Sequence, residues 1–383
     1  MNEAKVYADN YQGTFARQED FLDFLKNIGR NSSWDRKKSK DLRLVVLEEG
    51  NKVLQELTSK YEEEGMDEGI LEDTLLNTRL ALKVKGQLLP VRSCAIKTIL
   101  DRACISGSAL RKVDKNVYAR IINECMKVAG GDALLRISEG KVSAVLGGDS
   151  HEYAVLDMRQ IFMLSVEYLY KSFKGVNYLG GFFEHTIASS VWELGGEERL
   201  LAAYKSELMH HGLMPEDMKP IIRISTSDVG NCGANIYPML KVGNRNQMIS
   251  LGDALKLEHK AGATIEKYEE QLHMVYGKYQ AAIGKLSNLL TIGIDHPDNC
   301  MMGAMKRVGI PKKYGMEAVE LFKAQHGEDP CTAHDIYYGI AEVIYTLVCN
   351  GESGSKITEM EEKVARTLGI NWREYDMPGE IKW

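Results

Sequence analysis

The chain predicts an α+β fold, a mainly antiparallel sheet with packed helices followed by a helical C-terminal region. Three observations carry that prediction. Two runs, IIRISTS and ANIYPMLKV, alternate along their length on either side of the corner Asp228-Val229-Gly230-Asn231-Cys232-Gly233, the period-two signature of half-buried strands joined by a glycine-bearing turn. The segment DALLRIS-EG-KVSAVLG repeats the pattern around the compact turn Glu139-Gly140. After Gly252 the period changes. Ile265, Tyr268, Leu272, Val275, Tyr279, Ile283, Leu286 and Leu290 recur every three or four residues, which predicts one long amphipathic helix.

Residues 1–88 read as a peripheral unit. Phe21, Leu22, Phe24, Leu25 and Ile28 mark a first helix, a basic linker follows, and a second helical segment ends in Glu62-Glu63-Glu64-Gly65. Leu80, Leu82 and Val84 alternate with Arg79, Ala81, Lys83 and Lys85 ahead of Gly86, as a strand would. Residues 89–251 form the α+β core in this reading. Pro90 opens a helix bearing Ile96, Ile99 and Leu100, and Asp114 caps the next, which runs through Val117, Ile121, Ile122 and Met126 to a stop at Gly130-Gly131. Beyond the Glu139 hairpin, residues 157–171 predict a helix on Ile161, Phe162, Leu164, Leu169 and Tyr170. A strand pair over 178–194 and a helix over 197–211 then lead into the Ile221 strands. Strand pairs separated by helices, without strict βαβ alternation, make the sheet antiparallel. Within the helical region 252–383, starts are signalled by Thr332 with Asp335 and by Thr358 with Glu361, and NGESGSK at 350–356 is the nearest approach to a linker.

Composition bounds the function. With 383 residues, 44% hydrophobic and 27% charged, the chain can bury a sizeable core; its formal charge of −6 argues against a wholly nucleic-acid-coating surface but permits a local basic stripe. Seven cysteines with no C-x-x-C predict neither a disulfide framework nor a zinc ribbon, and they fit a reducing cytoplasm. Glu3, Lys5 and Asp9 stand where a signal peptide would need an apolar run, and no apolar stretch is long enough to span a bilayer, so no membrane partner is expected.

Catalytic signals are weak throughout. Gly351 to Lys356 lacks the Gly-Lys-Ser/Thr ending of a phosphate loop and reads as a helix entry, while Gly147-Gly148-Asp149-Ser150-His151 reads as a strand-ending turn. Asp295, His296, Asp298 and Cys300 have metal-ligand atoms, but Pro297 restricts their loop; His210-His211 project in different directions from a helix. Neither G-x-G-x-x-G nor G-x-S-x-G occurs. No catalytic residue, metal ligand or cofactor is therefore assigned, and Asp149, Glu152 and Asp157 remain as the carboxylates of a hydrolase alternative.

Nucleic-acid contacts have more support. RNSSWDRKKSKDLR, residues 30–43, gathers Arg36, Lys37, Lys38 and Lys40 around Trp34, combining phosphate neutralisation with a stacking face, although Asp35 and Asp41 dilute it. Arg136 and Lys141 flank the hairpin turn, and Arg79, Lys83 and Lys85 share one face of their strand. His259 and Lys260 sit at a helix break, where an imidazole contacts a phosphate or a backbone carbonyl.

The stretches LLRISEGKVSAVLGGDSHEYAVLD, ISTSDVGNCGANIYPML, LEHKAG, HDIYYGIAEVI and KITEMEEKVARTLGINW, in this order, resemble the phage/plasmid-like proteins grouped as domain-of-unknown-function family 932. The resemblance spans roughly residues 89–372. Val242-Gly243-Asn244-Arg245-Asn246 stands where members of that family often carry Cys-x-Asn-Gly. The resemblance implies a phage, prophage or plasmid setting in a host cytoplasm and supplies no catalytic residue. Together these features lead to an accessory protein that binds DNA, single-stranded DNA among the options, in replication or recombination without catalysis. The alternative is a factor that binds a host or phage protein, such as an inhibitor of host defence or an assembly component, with the long helix after Gly262 and the Trp372 to Trp383 tail as its surface; homo-oligomerisation is compatible with either.

Overall fold

Antiparallel pairing organises every sheet of the computed structural model, which describes residues 5–107, 109–149, 151–215, 217–243, 247–327, 329–379 and 383. Strand β1 (Gln12–Phe15) precedes helix α1 (Gln18–Arg30), whose Phe21, Leu25 and Ile28 form the buried stripe expected from their spacing. The stretch read as a basic linker is instead strand β2 (Ser32–Lys38). Charge conceals its period, because a cation can stand on either face of an edge strand as long as its stem packs and its head reaches a partner. Next come β3 (Arg43–Val46), α2 (Lys52–Glu64), α3 (Gly69–Asn77), β4 (Leu80–Val84) and β5 (Gln87–Pro90). Gly65 ends α2 in the left-handed conformation, φ 62°. Pro90 closes β5, and the following helix α4 (Ala95–Arg102) starts later than expected.

Helix α5 (Lys115–Val128) is capped by Asp114, which accepts from the backbone N–H groups of Asn116 and Val117. Strands β6 (Asp132–Ser138) and β7 (Lys141–Gly147) are the expected hairpin, turning through Glu139 and Gly140 at positive φ. The expected break between residues 88 and 89 falls inside β5. Leu44 and Leu82 on one side of it share a core with Ile99, Ile122, Leu135 and Val145 on the other.

Helix α6 (Met158–Ser172), strands β8 (Val176–Glu184) and β9 (Ile187–Leu194), helix α7 (Arg199–His210) and strands β10 (Met218–Thr226), β11 (Ala234–Val242), β12 (Gln247–Ser250) and β13 (Leu255–Leu257) follow. They build a seven-stranded sheet in the order β1-β8-β9-β10-β11-β12, with β13 also on β11. Ile222 and Ile224 join the main core, whereas Ile221 packs with Tyr237 and Met239 on the opposite face.

The long helix expected after Gly262 is two, α8 (Ile265–His273) and α9 (Val275–Asn288), joined at Met274 with φ −87° and ψ −8°. Strand β14 (Gly293–Ile294), helices α10 (Pro297–Val308) and α11 (Lys312–His326), strand β15 (Cys331–Thr332), and helices α12 (Ala333–Cys349) and α13 (Gly354–Thr367) complete the chain. Leu286, Ile340 and Val364 share the core of Ile224 and Leu240, so this region packs as one body with the large sheet. The tail folds in as well: Trp372 is buried and Trp383 packs against the same core. No helix among the described residues is long and apolar enough to cross a membrane.

Thr332 makes the expected capping box, its hydroxyl accepting from Asp335 N–H at 3.2 Å while the Asp335 carboxylate accepts from Thr332 N–H at 2.9 Å. Thr332→Ala is expected to cost about 1 kcal/mol in urea unfolding. An unchanged midpoint would show that packing of α12 makes the cap dispensable.

Candidate functional site

The register of the small sheet decides which of the candidate residues meet. In β2 and β6, Trp34 lies opposite Arg136, Arg36 opposite Leu134, and Lys38 opposite Asp132, so these side chains share one face. The Arg136 guanidinium sits 5.1 Å from the centre of the Trp34 ring and donates from Nε to Asp228 at 2.6 Å. Tyr153 lies beside Trp34 at 5.8 Å and stacks on His259 at 5.1 Å with ring planes 2° apart. His259 Nδ1–H donates to the Ala154 carbonyl at 3.1 Å, and burial lowers its pKa, which keeps the imidazole neutral.

The corner between β10 and β11, Asp228 to Gly233, borders this face. Ser227 Oγ accepts from the N–H groups of Val229 and Asn231, and Gly230 adopts φ 75°. A Cβ on Gly230 would stand 2.9 Å from the movable end of the Leu146 side chain, so it is the positive φ of the turn that favours glycine there. Between the corner, the end of β7 and α4 lies a cavity of about 700 Å³ lined by Cys94, Lys97, Arg102, Glu152, Tyr153 and Asn231 among others. Tyr153, Asn231 and His259, distant in sequence, therefore converge around this cavity and the stack beside it.

Charge within the cavity is balanced. Arg102 donates from Nη1 to Glu152 at 3.0 Å and from Nε to Ser39 at 2.8 Å, while exposed Lys97 has no carboxylate partner among the described residues. The Tyr153 hydroxyl is buried without a partner among the described residues, and burial raises its pKa, so it remains a proton donor. Burial also pushes the Cys94 thiol up to about 12, far from the thiolate a nucleophile requires.

Thus Trp34, Arg36, Lys38, Arg136 and His259 come together, although His259 is buried and stacked on Tyr153. Lys37 points to the other face and pairs with Asp35 at 2.8 Å; Lys40 is exposed in the turn after β2; Lys260 is exposed and paired with Glu258. Lys141 corrects the sequence reading. Its ammonium is completely buried, 2.8 Å from Asp9 and bonded to Asp73, and so cannot meet a phosphate. Arg136 also differs from the expected free cation, being buried and paired with Asp228. Lys83 lies opposite Arg43 in another sheet, β3-β4-β5, separate from β2-β6-β7.

The carboxylates of the hydrolase alternative have structural tasks: Asp149 accepts from Asp132 N–H, Glu152 accepts from Arg102 and from Asp149 N–H, and Asp157 caps α6. Around the start of α10, the N–H groups of Asp295 and His296 donate to Asp376, Asp298 pairs with Lys323, and the Cys300 thiol is buried and donates to the Trp372 carbonyl. Ser353 caps α13, which accounts for the glycine-rich entry at 351–356. Ser150 and residues 244–246 lie outside the described residues. Lys97, Arg102 and Tyr153 were missed by the sequence reading; the only signal for Tyr153 was its place just after the Gly147-Gly148 turn. No family model, curated protein or solved structure matches the chain.

Proposed function

We propose that the chain is a non-enzymatic accessory protein of a phage or plasmid that binds single-stranded DNA across the β2-β6 face and the adjoining cavity. The observation that supports this reading is the meeting of Trp34, Arg36, Lys38 and Arg136 on one sheet face, next to the cavity lined by Lys97. The exposed Arg36 and Lys38 side chains hold phosphates, and the half-buried Trp34 ring offers a stacking face.

Ion pairing sets the strength. Lys38 is paired with Asp132 at 2.5 Å and Arg136 with Asp228, so phosphate must displace a carboxylate at those positions. Arg36, Lys40 and Lys97 are the cations without a carboxylate partner among the described residues near this face. At roughly 0.7 counterions released per single-strand phosphate, three free cations give a slope of log affinity against log salt of about −2, much shallower than a fully basic groove would. Oligonucleotide anisotropy over a salt series tests this. Arg36→Ala/Lys40→Ala is expected to flatten the slope by roughly 1.4 for all sequences alike. No binding by the folded protein at low salt would reject the reading.

A further inference from the structure

Another cavity, about 300 Å³, lies between α7, α11, α12 and the ends of β10 and β11. Leu208, Met218 and Val242 are its buried apolar walls, and the exposed Leu213 and Met214 stand at its mouth. Its size is at the lower end of the range of small-molecule sites.

One wall is the face of α12 that carries His334, Asp335, Tyr338 and Glu342, spaced by three or four residues. His334 is only 6% exposed. Its Nε2 is bonded to the Tyr204 hydroxyl at 2.6 Å, that hydroxyl meets the Tyr338 hydroxyl at 2.9 Å, and the imidazole tilts against the Tyr338 ring at 4.6 Å. The other nitrogen, Nδ1, has no hydrogen-bond partner among the described residues and, unlike the Tyr153 hydroxyl, is not fully buried, so it is open to the cavity that the ring lines. Asp335 caps α12 through Oδ2, which accepts from the Thr332 N–H and hydroxyl, while its Oδ1 lacks a partner among the described residues and is likewise accessible. Polar atoms in a largely buried setting are satisfied by protein, water or ligand, and here two on adjacent residues border one cavity without a protein partner.

Charge selects the ligand. The lining holds the Asp335 and Glu342 carboxylates and no lysine or arginine, and Asp335 has no cationic partner among the described residues. Burial lowers the His334 pKa to about 4, with Asp335 opposing the fall and His211 adding to it, so the imidazole is neutral at pH 7 and does not compensate the carboxylates. Asp335 also offsets the positive end of the α12 dipole, since it stands in the first turn. An anion is therefore repelled and a cation drawn in. With Nε2–H donating to Tyr204 and Tyr204 donating to Tyr338, Nδ1 is an acceptor, and rotation of the two hydroxyls is enough to set that tautomer.

We propose that this cavity binds a small primary amine with an apolar body, its ammonium donating to His334 Nδ1 and Asp335 Oδ1 and its body packing on Leu208, Met218 and Val242. The thioethers of Met214 and Met218 favour an aromatic body. The site goes beyond the DNA-binding reading and shares no residue with the β2-β6 face.

Phenethylamine, phenethyl alcohol and phenylpropanoate titrated by calorimetry into the full chain at pH 7 form the test. The amine is expected to bind about tenfold tighter than the alcohol, the increment of a charge-assisted contact, and the carboxylate more weakly than either. Asp335→Asn, which keeps the oxygen that caps α12 and removes the charge, should weaken the amine about tenfold and leave the alcohol unchanged. Leu213→Trp, at a position 38% exposed at the mouth, should abolish binding of both while leaving the thermal midpoint close to wild type. Failure of the folded wild type to bind the amine, equal affinity for the alcohol, or undiminished amine binding in either folded variant would overturn the proposal, the first outcome leaving water as the occupant.

Discussion

Lys141→Met is expected to destabilise the protein by about 3–5 kcal/mol, because it removes one partner of a buried ionic cluster and leaves the others charged. The ammonium begins β7 with no exposed surface and holds together Asp9, from the segment before β1, and Asp73, from α3. Asp9 is itself buried, accepts from Ser93 N–H at 2.7 Å and lies 3.6 Å from Arg92. Methionine fills the volume of the lysine stem, so the loss is electrostatic rather than a cavity cost. The pH dependence has a definite sign. Burial raises the Asp9 pKa, but hydrogen bonds from Lys141 and Ser93 outweigh it and hold the carboxyl below its ordinary 3.8. A depressed native pKa contributes stability that is present above the unfolded value and lost as pH falls through the native one. Wild type should therefore lose this contribution below about pH 3.8, and the variant should lose less there. Urea unfolding at pH 7 and pH 3 measures both effects. A variant within 0.5 kcal/mol of wild type at pH 7 would remove the structural role assigned to Lys141, the threshold being the spread of ordinary surface substitutions, about 0.5 kcal/mol.

The same lysine shows where sequence reading reaches its limit. The Glu139-Gly140 hairpin was legible because its pairing is local and its turn carries glycine, and a cation beside a hairpin turn is normally solvated. Lys141 is buried because Asp9, 132 positions away, covers that end of the hairpin, and no local pattern encodes such a contact. Strand β2 was missed for a related reason. Its Arg36 and Lys38 occupy positions where a periodicity test looks for apolar side chains, and only pairing with β6 makes the strand evident. The two-helix break at Met274 left the apolar spacing intact, so period alone read straight through it. The α+β class and the switch to helices near Gly252 depend on long runs of one period, which is why they were readable. At the site, the Gly230 corner and the Gly147 turn were recognisable separately; their meeting through Leu146 requires the fold.

Arg223→Met alone is expected to cost about 3–5 kcal/mol at pH 7, and Arg223→Met/Glu361→Met to recover the loss or exceed wild-type stability. The pair lies between β10 and α13, with the Glu361 carboxylate buried and the guanidinium only 11% exposed. Attraction between such groups must repay the removal of both from water, and here the repayment is incomplete. Burial leaves the Glu361 pKa raised even with Arg223 bonded to it, and Arg223 Nε has no acceptor among the described residues. A raised native pKa means that the folded protein binds the proton more tightly than the unfolded chain, so the associated stability is greatest in acid and declines as pH rises through the native value. Without Arg223 that pKa rises further, because the opposing charge is gone. The single variant should accordingly approach wild type as the pH is lowered toward the ordinary 4.5 of glutamate and fall furthest behind it at neutral and alkaline pH. Two methionines remove both charges and the orphaned N–H at similar side-chain volume, placing apolar groups in a cavity wall that Ile344 and Ile357 also line. Thermal and urea unfolding of the single and double variants from pH 5 to pH 8 separates the possibilities: a double variant as unstable as Arg223→Met would mean that shape, not charge, holds α13 on the sheet.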